Sequence, residues 1–273
     1  MRELDRDKPN NSAQGSAIRT GSSGDTPLRK VLTTAVIGAG RAGTTFARGF
    51  RSAGLNVVGP LGRGDRIDRS AVDVVLICVP DSAIAEVAAD LPSGLLVGHC
   101  SGALDHSLLQ HERSFSLHPL MTLNGDPKSL NRAWATVTAS DLESESCAEG
   151  LAEALGMRTI QLDDADRALY HAAASVASNF LITVEAIAER LATEAGLPRE
   201  ALVPLVEASV ANWASQGGRA ALTGPIVRGD SATVSRQRAA IETVAPDLLK
   251  IFDALCDATA DLAAEGKPGI GVA

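Results

Sequence analysis

Aromatic residues are scarce in this chain: Phe, Tyr and Trp together make up 3% of its 273 residues. Hydrophobic residues nevertheless reach 45%. The core must therefore be built mainly of Ala, Leu, Val and Ile, and abundant alanine suits closely packed helices. Cysteine is also sparse. Cys78, Cys100, Cys147 and Cys256 show no C-x-x-C spacing, so no metal site is expected. Cys78 lies in an apolar run and is expected to be a buried, reduced thiol. No basic stretch stands ready to replace phosphate counterions, and the net charge is −8. Nucleic acid is thereby excluded as the main partner. No apolar run approaches the roughly 18 residues of a membrane span, so no membrane association is expected. The N-terminus lacks the hydrophobic core of a secretory signal. These absences lead to the expectation of a soluble, cytoplasmic protein.

What the chain does have is concentrated in Val36-Ile37-Gly38-Ala39-Gly40-Arg41-Ala42-Gly43. This is a G-x-G-x-x-G fingerprint in its proper context. The apolar run from Val31 to Ile37 reads as a strand leading into it, and Arg41 to Ala53 reads as the helix leading out. Gly54 closes that helix, and Leu55 to Val58 restarts a strand. Each glycine has a task. Gly38 allows the tight turn, Gly40 lets backbone approach a pyrophosphate, and Gly43 lets helix pack on strand. The free N–H groups at the helix start, around Arg41 and Ala42, face the phosphate charge.

The second strand decides between the two dinucleotides. Sites for NAD(H) usually end that strand with an acid that accepts from the ribose 2′-hydroxyl. Here the sequence runs Gly59-Pro60-Leu61-Gly62-Arg63-Gly64-Asp65. Arg63 stands about 20 residues past Gly43, where a 2′-phosphate would lie, and its planar charged fork suits a phosphate. NADP(H) is expected over NAD(H), with Asp65 the residue that would reverse the choice in another loop register.

Residues 1–29 are polar and aperiodic and read as a disordered tail. From residue 30 to residue 163, short apolar strands alternate with helical stretches. The nearly continuous Val72–Val79 run suits a strand covered on both faces. Further strands are expected at Leu95–His99, Phe115–His118, Trp134–Thr138 and Arg158–Leu162. This alternation predicts an α/β, doubly wound parallel sheet. Residues 164–273 read as all-α and form a second domain. They open with one long helix from Asp164 to Ala195, stopped by Gly196-Leu197-Pro198. Later helices are expected near 198–215, 231–242 and 244–265.

Ligands of such sheets bind at the carboxyl ends of the strands. Several polar groups are candidates there. Val79 and Pro80, with Asp81 as a helix cap, form a wall for the nicotinamide ribose or a plain helix start. Ser101 and Gly102 form a donor-rich turn that orients cofactor or substrate, or a structural turn. His118 ends a strand ahead of Pro119, as a proton-transfer group or a structural histidine. On the long helix, His171, Ser175 and Asn179 recur at i, i+4 and i+8, a polar line on an apolar helix. Either a neighbouring helix or a ligand must satisfy it. Arg228, between two later helices, is a candidate for an anionic substrate.

The pieces VIGAGRAG, ICVPDSAI, HCSGAL, SLHPLMTL, YHAAASVASN and LTGPIVRGD, in that order, resemble the bacterial Rossmann-like proteins with a C-terminal domain of unknown function, number 2520. The resemblance covers about residues 31–265. It implies a Rossmann domain followed by a helical domain. It also implies kinship with 6-phosphogluconate-dehydrogenase-like reductases, ketopantoate reductase among them. Hydroxyacid dehydrogenases of that wider group carry a lysine four residues before an asparagine on the long helix. Here Asn179 is kept, but Ser175 stands in the lysine position. The five lysines, Lys8, Lys30, Lys128, Lys250 and Lys267, all lie elsewhere.

The reading that follows is an NADP(H)-dependent reductase of a small carboxylated carbonyl or imine, such as a 2-keto acid. His171, with His118 second, would transfer the proton, Ser175 and Asn179 would complete the catalytic face, and Ser101 and Asn179 would orient the substrate. The alternative is a dinucleotide-binding regulatory or assembly protein without turnover. Alanine-rich helices that expose apolar surface lead to the expectation of a homodimer through the helical domain.

Overall fold

The computed structural model describes residues 32–265. The expected tail, 1–29, lies outside them. The described residues form two compact units, 32–175 and 176–265.

The first unit is a seven-stranded sheet in the order β2-β1-β3-β4-β5-β6-β7. Its strands are β1 (Thr33–Ile37), β2 (Asn56–Leu61), β3 (Val74–Ile77), β4 (Leu96–His99), β5 (Arg113–Pro119), β6 (Trp134–Ala139) and β7 (Arg158–Gln161). Helices α1 (Arg41–Ser52), α2 (Asp81–Ala89) and α3 (Leu142–Ala154) make the crossovers. Strands β2, β1, β3, β4 and β5 pair in parallel, as the strand–helix alternation predicts. The strand order reverses beside β1, so the carboxyl ends of β1 and β3 flank the switch point where such sheets take ligands.

One pair departs from the all-parallel expectation. β6 runs antiparallel to β5. Between them the chain forms a 3-10 turn, Pro127–Leu130, with no α-helix to carry it back across a face. A 3-10 turn, His106–Leu109, also joins β4 to β5, which pair in parallel, so the type of connection alone does not set the direction.

The core has two halves. Phe46 and Phe50 of α1 and Ala148 and Leu151 of α3 meet Val36, Leu76, Phe115 and Leu117 on one face. Ile84 and Ala88 of α2 meet Ala35, Val75, Ile77 and Val97 on the other. Fully burying each such Phe, Leu or Ile contributes roughly 1.5–3 kcal/mol. On this second face the sheet turns from apolar to polar along the strand order. β1 and β3 present Ala35, Val75 and Ile77, whereas β5 and β6 present Ser114, Ser116, His118, Thr136 and Thr138.

The expected long helix is four segments. A 3-10 turn at Asp164–Asp166 leads into α4 (Arg167–Ser175), then a π-helical stretch Val176–Phe180, then α5 (Leu181–Glu194). The π-helix changes the reading of the polar line. An i→i+5 turn is wider than an α turn, so the i+4 spacing that aligns His171 with Ser175 no longer holds from Ser175 to Asn179. The helix Asp164–Glu194 is also long and apolar enough to cross a membrane by length and composition alone. None of its most apolar stretch is buried.

The second unit continues with α6 (Val203–Gln216), α7 (Gly218–Ala221), α8 (Ser231–Val244) and α9 (Leu249–Ala264). Gly196, at φ +77°, ends α5 in the left-handed conformation expected of a helix-stopping glycine. Asp230 caps α8 by accepting from the Thr233 N–H at 3.0 Å. Arg190 holds Asp247 through two contacts of 2.6 and 2.8 Å.

Candidate active site

The turn between β1 and α1 is shaped by three glycines with different surroundings. Gly38 has φ +114°, and a Cβ there would stand 2.3 Å from the Cys78 carbonyl oxygen. A Cβ on Gly43 would stand 1.8 Å from the Gly38 carbonyl oxygen. Both positions therefore exclude any side chain for reasons internal to the fold. Gly40 is the opposite case: a Cβ there would meet nothing within 4 Å. Gly40 is also the N-cap of α1, without a side-chain capping bond, and the first turn of α1 carries no acid. Gly40 and Arg41 are exposed at this helix start, whose first N–H groups have no partner within the helix. That is the arrangement an anion requires.

The end of β2 is tied to this turn. The Gly38 N–H donates to the Leu61 carbonyl at 2.7 Å. The chain then makes a tight turn in which the Asp65 carboxylate accepts from the Gly62 N–H at 2.7 Å. Asp65 is thus engaged in holding its own loop, while the Arg63 side chain is exposed.

At the ends of β3 and β4 the polar groups are linked to each other. Pro80, not Asp81, occupies the N-cap of α2 and makes no side-chain capping bond. The expected capping role of Asp81 is replaced by another: its carboxylate accepts from the Ser101 hydroxyl at 2.9 Å. Val79 packs against the second core half. The Ser101 hydroxyl also accepts from the N–H groups of Ala103 and Leu104, each at 3.2 Å. Its bonding capacity is consumed in shaping the turn, and the N–H groups of Ser101, Ala103 and Leu104 are likewise engaged within it. His99, fully buried, accepts from the Ser101 N–H on Nδ1 at 3.1 Å and faces the Asp105 carbonyl with Nε2 at 3.2 Å. One acceptor and one donor nitrogen require a neutral ring. Burial accordingly pushes its pKa down to about 4.

The densest polar cluster lies at the end of β5. His118 Nδ1 is 2.6 Å from the Tyr170 hydroxyl, and the two rings meet edge to face with centroids 5.6 Å apart. The His171 ring follows at 6.4 Å. A Cβ on Gly102 would fall 2.7 Å from the His118 ring, so the turn after β4 rests directly on that imidazole. Burial lowers the His118 pKa to about 4, and the nearby His171 and Arg167 charges act in the same direction. The Tyr170 phenol is pushed above its ordinary value, mainly by burial. Both groups are neutral at pH 7.

Arg167 sits behind them, 5% exposed. Its Nε and Nη2 donate to Asp164 at 3.1 and 2.7 Å, and Nη2 also donates to Thr138 at 2.9 Å. Its Nη1 is buried without a partner, as are the hydroxyls of Ser116 and Thr136. Thr136 lies opposite His118 in the strand register, and Thr138 opposite Ser116. The Thr136 hydroxyl is close enough to the phenol to lower its pKa, yet at its present geometry it makes no hydrogen bond. Each buried unsatisfied donor costs about 1–3 kcal/mol, so these groups call for a partner such as an ordered water or a ligand.

The structure thus brings together His118, His171, Gly102 and the Ser101 turn, adding Tyr170 and Arg167, which the motifs do not single out. A signal for them exists in the sequence. Ser114-Phe115-Ser116-Leu117-His118 and Thr136-Val137-Thr138 alternate strictly, giving one polar face to a sheet otherwise apolar on both sides. Ser175 ends α4 in the first unit. Asn179 and Arg228 belong to the second unit, where both are exposed. Ser178 donates to the Asn179 side-chain oxygen at 3.3 Å. No group of three or more potential metal ligands occurs among the described residues.

Residues 133–259 match the family model described as Domain of unknown function (DUF2520). The chain carries a DUF2520 domain. The DUF2520 match begins just before β6 and takes in Thr136, Thr138, Arg167, Tyr170 and His171, as well as Asn179 and Arg228. Among solved structures the chain is similar to BF3122 of Bacteroides fragilis, a candidate NADP oxidoreductase. The TM-score is 0.74 at 18% identity, covering 84% of this chain and 98% of that one. It is similar to protein TM1727 of Thermotoga maritima, with TM-score 0.67 at 22% identity, covering 85% and 98%. It is also similar to the Aspergillus terreus reductive aminase in complex with NADPH and ethyl-5-oxohexanoate, with TM-score 0.62 at 15% identity, covering 85% and 94%. At such identities the likeness establishes the Rossmann-like fold. No curated protein matches the chain.

Proposed function

We propose that this protein is an NADP(H)-dependent oxidoreductase that reduces a small carboxylated carbonyl or imine compound. The observation that carries the reading is the neutral His118, bonded to Tyr170, at the carboxyl end of β5 beside the turn after β4. A reductase needs a proton donor at that edge of the sheet. The residues present fit the dinucleotide, because Gly40 opens on free space at an uncapped helix start. When bound, the reduced nicotinamide supplies the hydride.

Gly38, Gly40 and Gly43, with the backbone of Arg41 and Ala42, hold the pyrophosphate. Arg63 takes the 2′-phosphate. Val79 and Pro80 flank the nicotinamide ribose, and the backbone of Ser101 and Gly102 lines the substrate side. His118 now takes precedence over His171 as proton donor, since its ring is anchored and half-buried whereas His171 is exposed. Ser175, at the end of α4, completes the catalytic side. The buried charge of Arg167 favours a carboxylated one. Purified protein given NADPH and a panel of 2-keto acids, with and without ammonium, should consume NADPH. Binding without oxidation would instead favour a non-catalytic dinucleotide-binding protein, the reading that the missing helix lysine supports.

Cofactor choice gives a separate test. NADPH should bind more tightly than NADH by about ten- to hundredfold, the roughly 1.5–3 kcal/mol of a charge-assisted phosphate contact. Arg63→Ala should remove the difference. Equal affinities in the unaltered protein would refute the NADP(H) assignment.

Assembly gives another. Phe180 is 58% exposed and Trp213 61%, and Ile182, Leu205 and Val210 are also exposed. With the uncovered apolar helix Asp164–Glu194, this surface suits a second copy of the chain better than water. Glu185, Glu189 and Arg190 on α5 favour a protein partner over lipid. Light scattering without detergent should give twice the chain mass of 28.2 kDa. A monodisperse monomer, or a chain that needs detergent to stay dispersed, would refute the dimer.

A further inference from the structure

We propose that Tyr170 and His118 form a proton relay that delivers its proton from Nε2 of His118. This rests on the reductase reading and names the group that takes the place of the absent helix lysine. The geometry is directional. The Tyr170 hydroxyl is 2.6 Å from Nδ1, and no hydrogen bond engages Nε2 among the described residues. The phenol is the better donor of the two and the imidazole nitrogen the better acceptor. With Tyr170 donating to Nδ1, the ring proton must reside on Nε2.

Proton balance is then simple. The Nε2 proton moves to the oxygen or nitrogen that becomes the product hydroxyl or amine. The Tyr170 proton moves onto Nδ1 as the Nε2–H bond breaks. The relay resets in reverse: Nε2 takes one proton from solvent as Nδ1 returns its own to the phenolate, which restores both the phenol and the starting tautomer. His118 stays neutral throughout, as its desolvated position requires. The charges facing this pair are Arg167 and His171 from α4, Asp81 from the start of α2 and His99 from β4. Arg167 is the cation that steadies the transient phenolate, since its charge lowers the phenol pKa. Its unpartnered Nη1, with the unpartnered Thr136 and Ser116 hydroxyls, leaves donor capacity beside the relay that only a charge shift or a ligand uses.

Composition makes the test tractable. Tyr170 is the chain's one tyrosine, and His118 is one of five histidines. Nitrogen-15 spectra of histidine-labelled protein near pH 7 should show His118 with Nε2 protonated and Nδ1 accepting. In Tyr170→Phe, which keeps the ring packing, that tautomer preference should be lost while the melting temperature stays within about 2 °C. The variant should lower kcat with NADPH and a 2-keto acid probe by about 10²-fold, with KM unchanged. A proton on Nδ1 in the unaltered protein would overturn the relay, because Nε2 then has nothing to give. So would a Tyr170→Phe variant of full kcat. If the unaltered protein turns over no probe, the reductase reading falls instead, and the tautomer still decides whether the relay is built.

Discussion

Gly43→Ala is expected to unseat the turn between β1 and α1 and to abolish NADPH binding. The added methyl would lie 1.8 Å from the Gly38 carbonyl oxygen. Both are backbone-bound, so neither can swing aside. Overpacking of this severity costs about 3 kcal/mol or more, and the melting transition of the first unit should fall by roughly 6–12 °C. Gly38→Ala should behave alike, since it combines φ +114° with an approach of 2.3 Å to the Cys78 carbonyl. Gly40→Ala is the internal control. Its Cβ meets nothing within 4 Å and its φ of −75° suits any residue, so its melting should be unchanged. Thermal unfolding of the three variants by circular dichroism checks this. Equal stability in all of them would mean that the turn is not built as described.

His118→Gln is expected to lower turnover by about 10²–10⁴-fold, the range for loss of a general acid, with NADPH affinity nearly unchanged. The substitution removes the ring but leaves the glycine turn alone. His171→Ala is the comparison. His171 is exposed and reaches His118 only through a ring contact at 6.4 Å, so its loss should cost less. Steady-state kinetics with NADPH and the most active keto acid would decide. A larger loss in His171→Ala would return precedence to the residue that the sequence pattern favours.

The glycine turn is legible in the sequence because its constraints are local. A strand, three fixed glycines and a helix start sit within a dozen residues, and no distant packing can relocate them. Most strands are legible for a similar reason, since runs such as Val74–Ile77 are buried on both faces. The β5–β6 pair is harder to read. Its direction cannot be read from the connection, since the parallel β4–β5 pair is also joined through a 3-10 turn, and its polar face belongs to two strands and a later helix at once. The His118 contact with Tyr170 spans 52 positions, which no spacing rule reaches. The polar line on the long helix is misread past Ser175 because a π-helical stretch changes the period there. The apolar character of the same helix escapes a search for unbroken runs, because Glu185, Glu189 and Arg190 interrupt the sequence without removing its high mean hydropathy.

The central claim is that the turn after β1 is a working dinucleotide site. Calorimetric titration of NADPH into the unaltered protein and into Gly40→Val tests it most directly. A Cβ at Gly40 fills only open space in the free protein, so Gly40→Val should fold and melt normally. It should nevertheless lose NADPH binding, because its side chain stands where the pyrophosphate must approach. Saturable binding by the unaltered protein, with at least about a hundredfold loss in the equally stable variant, is the expected result. No binding to the folded, unaltered protein, or equal affinity in both, would contradict the account.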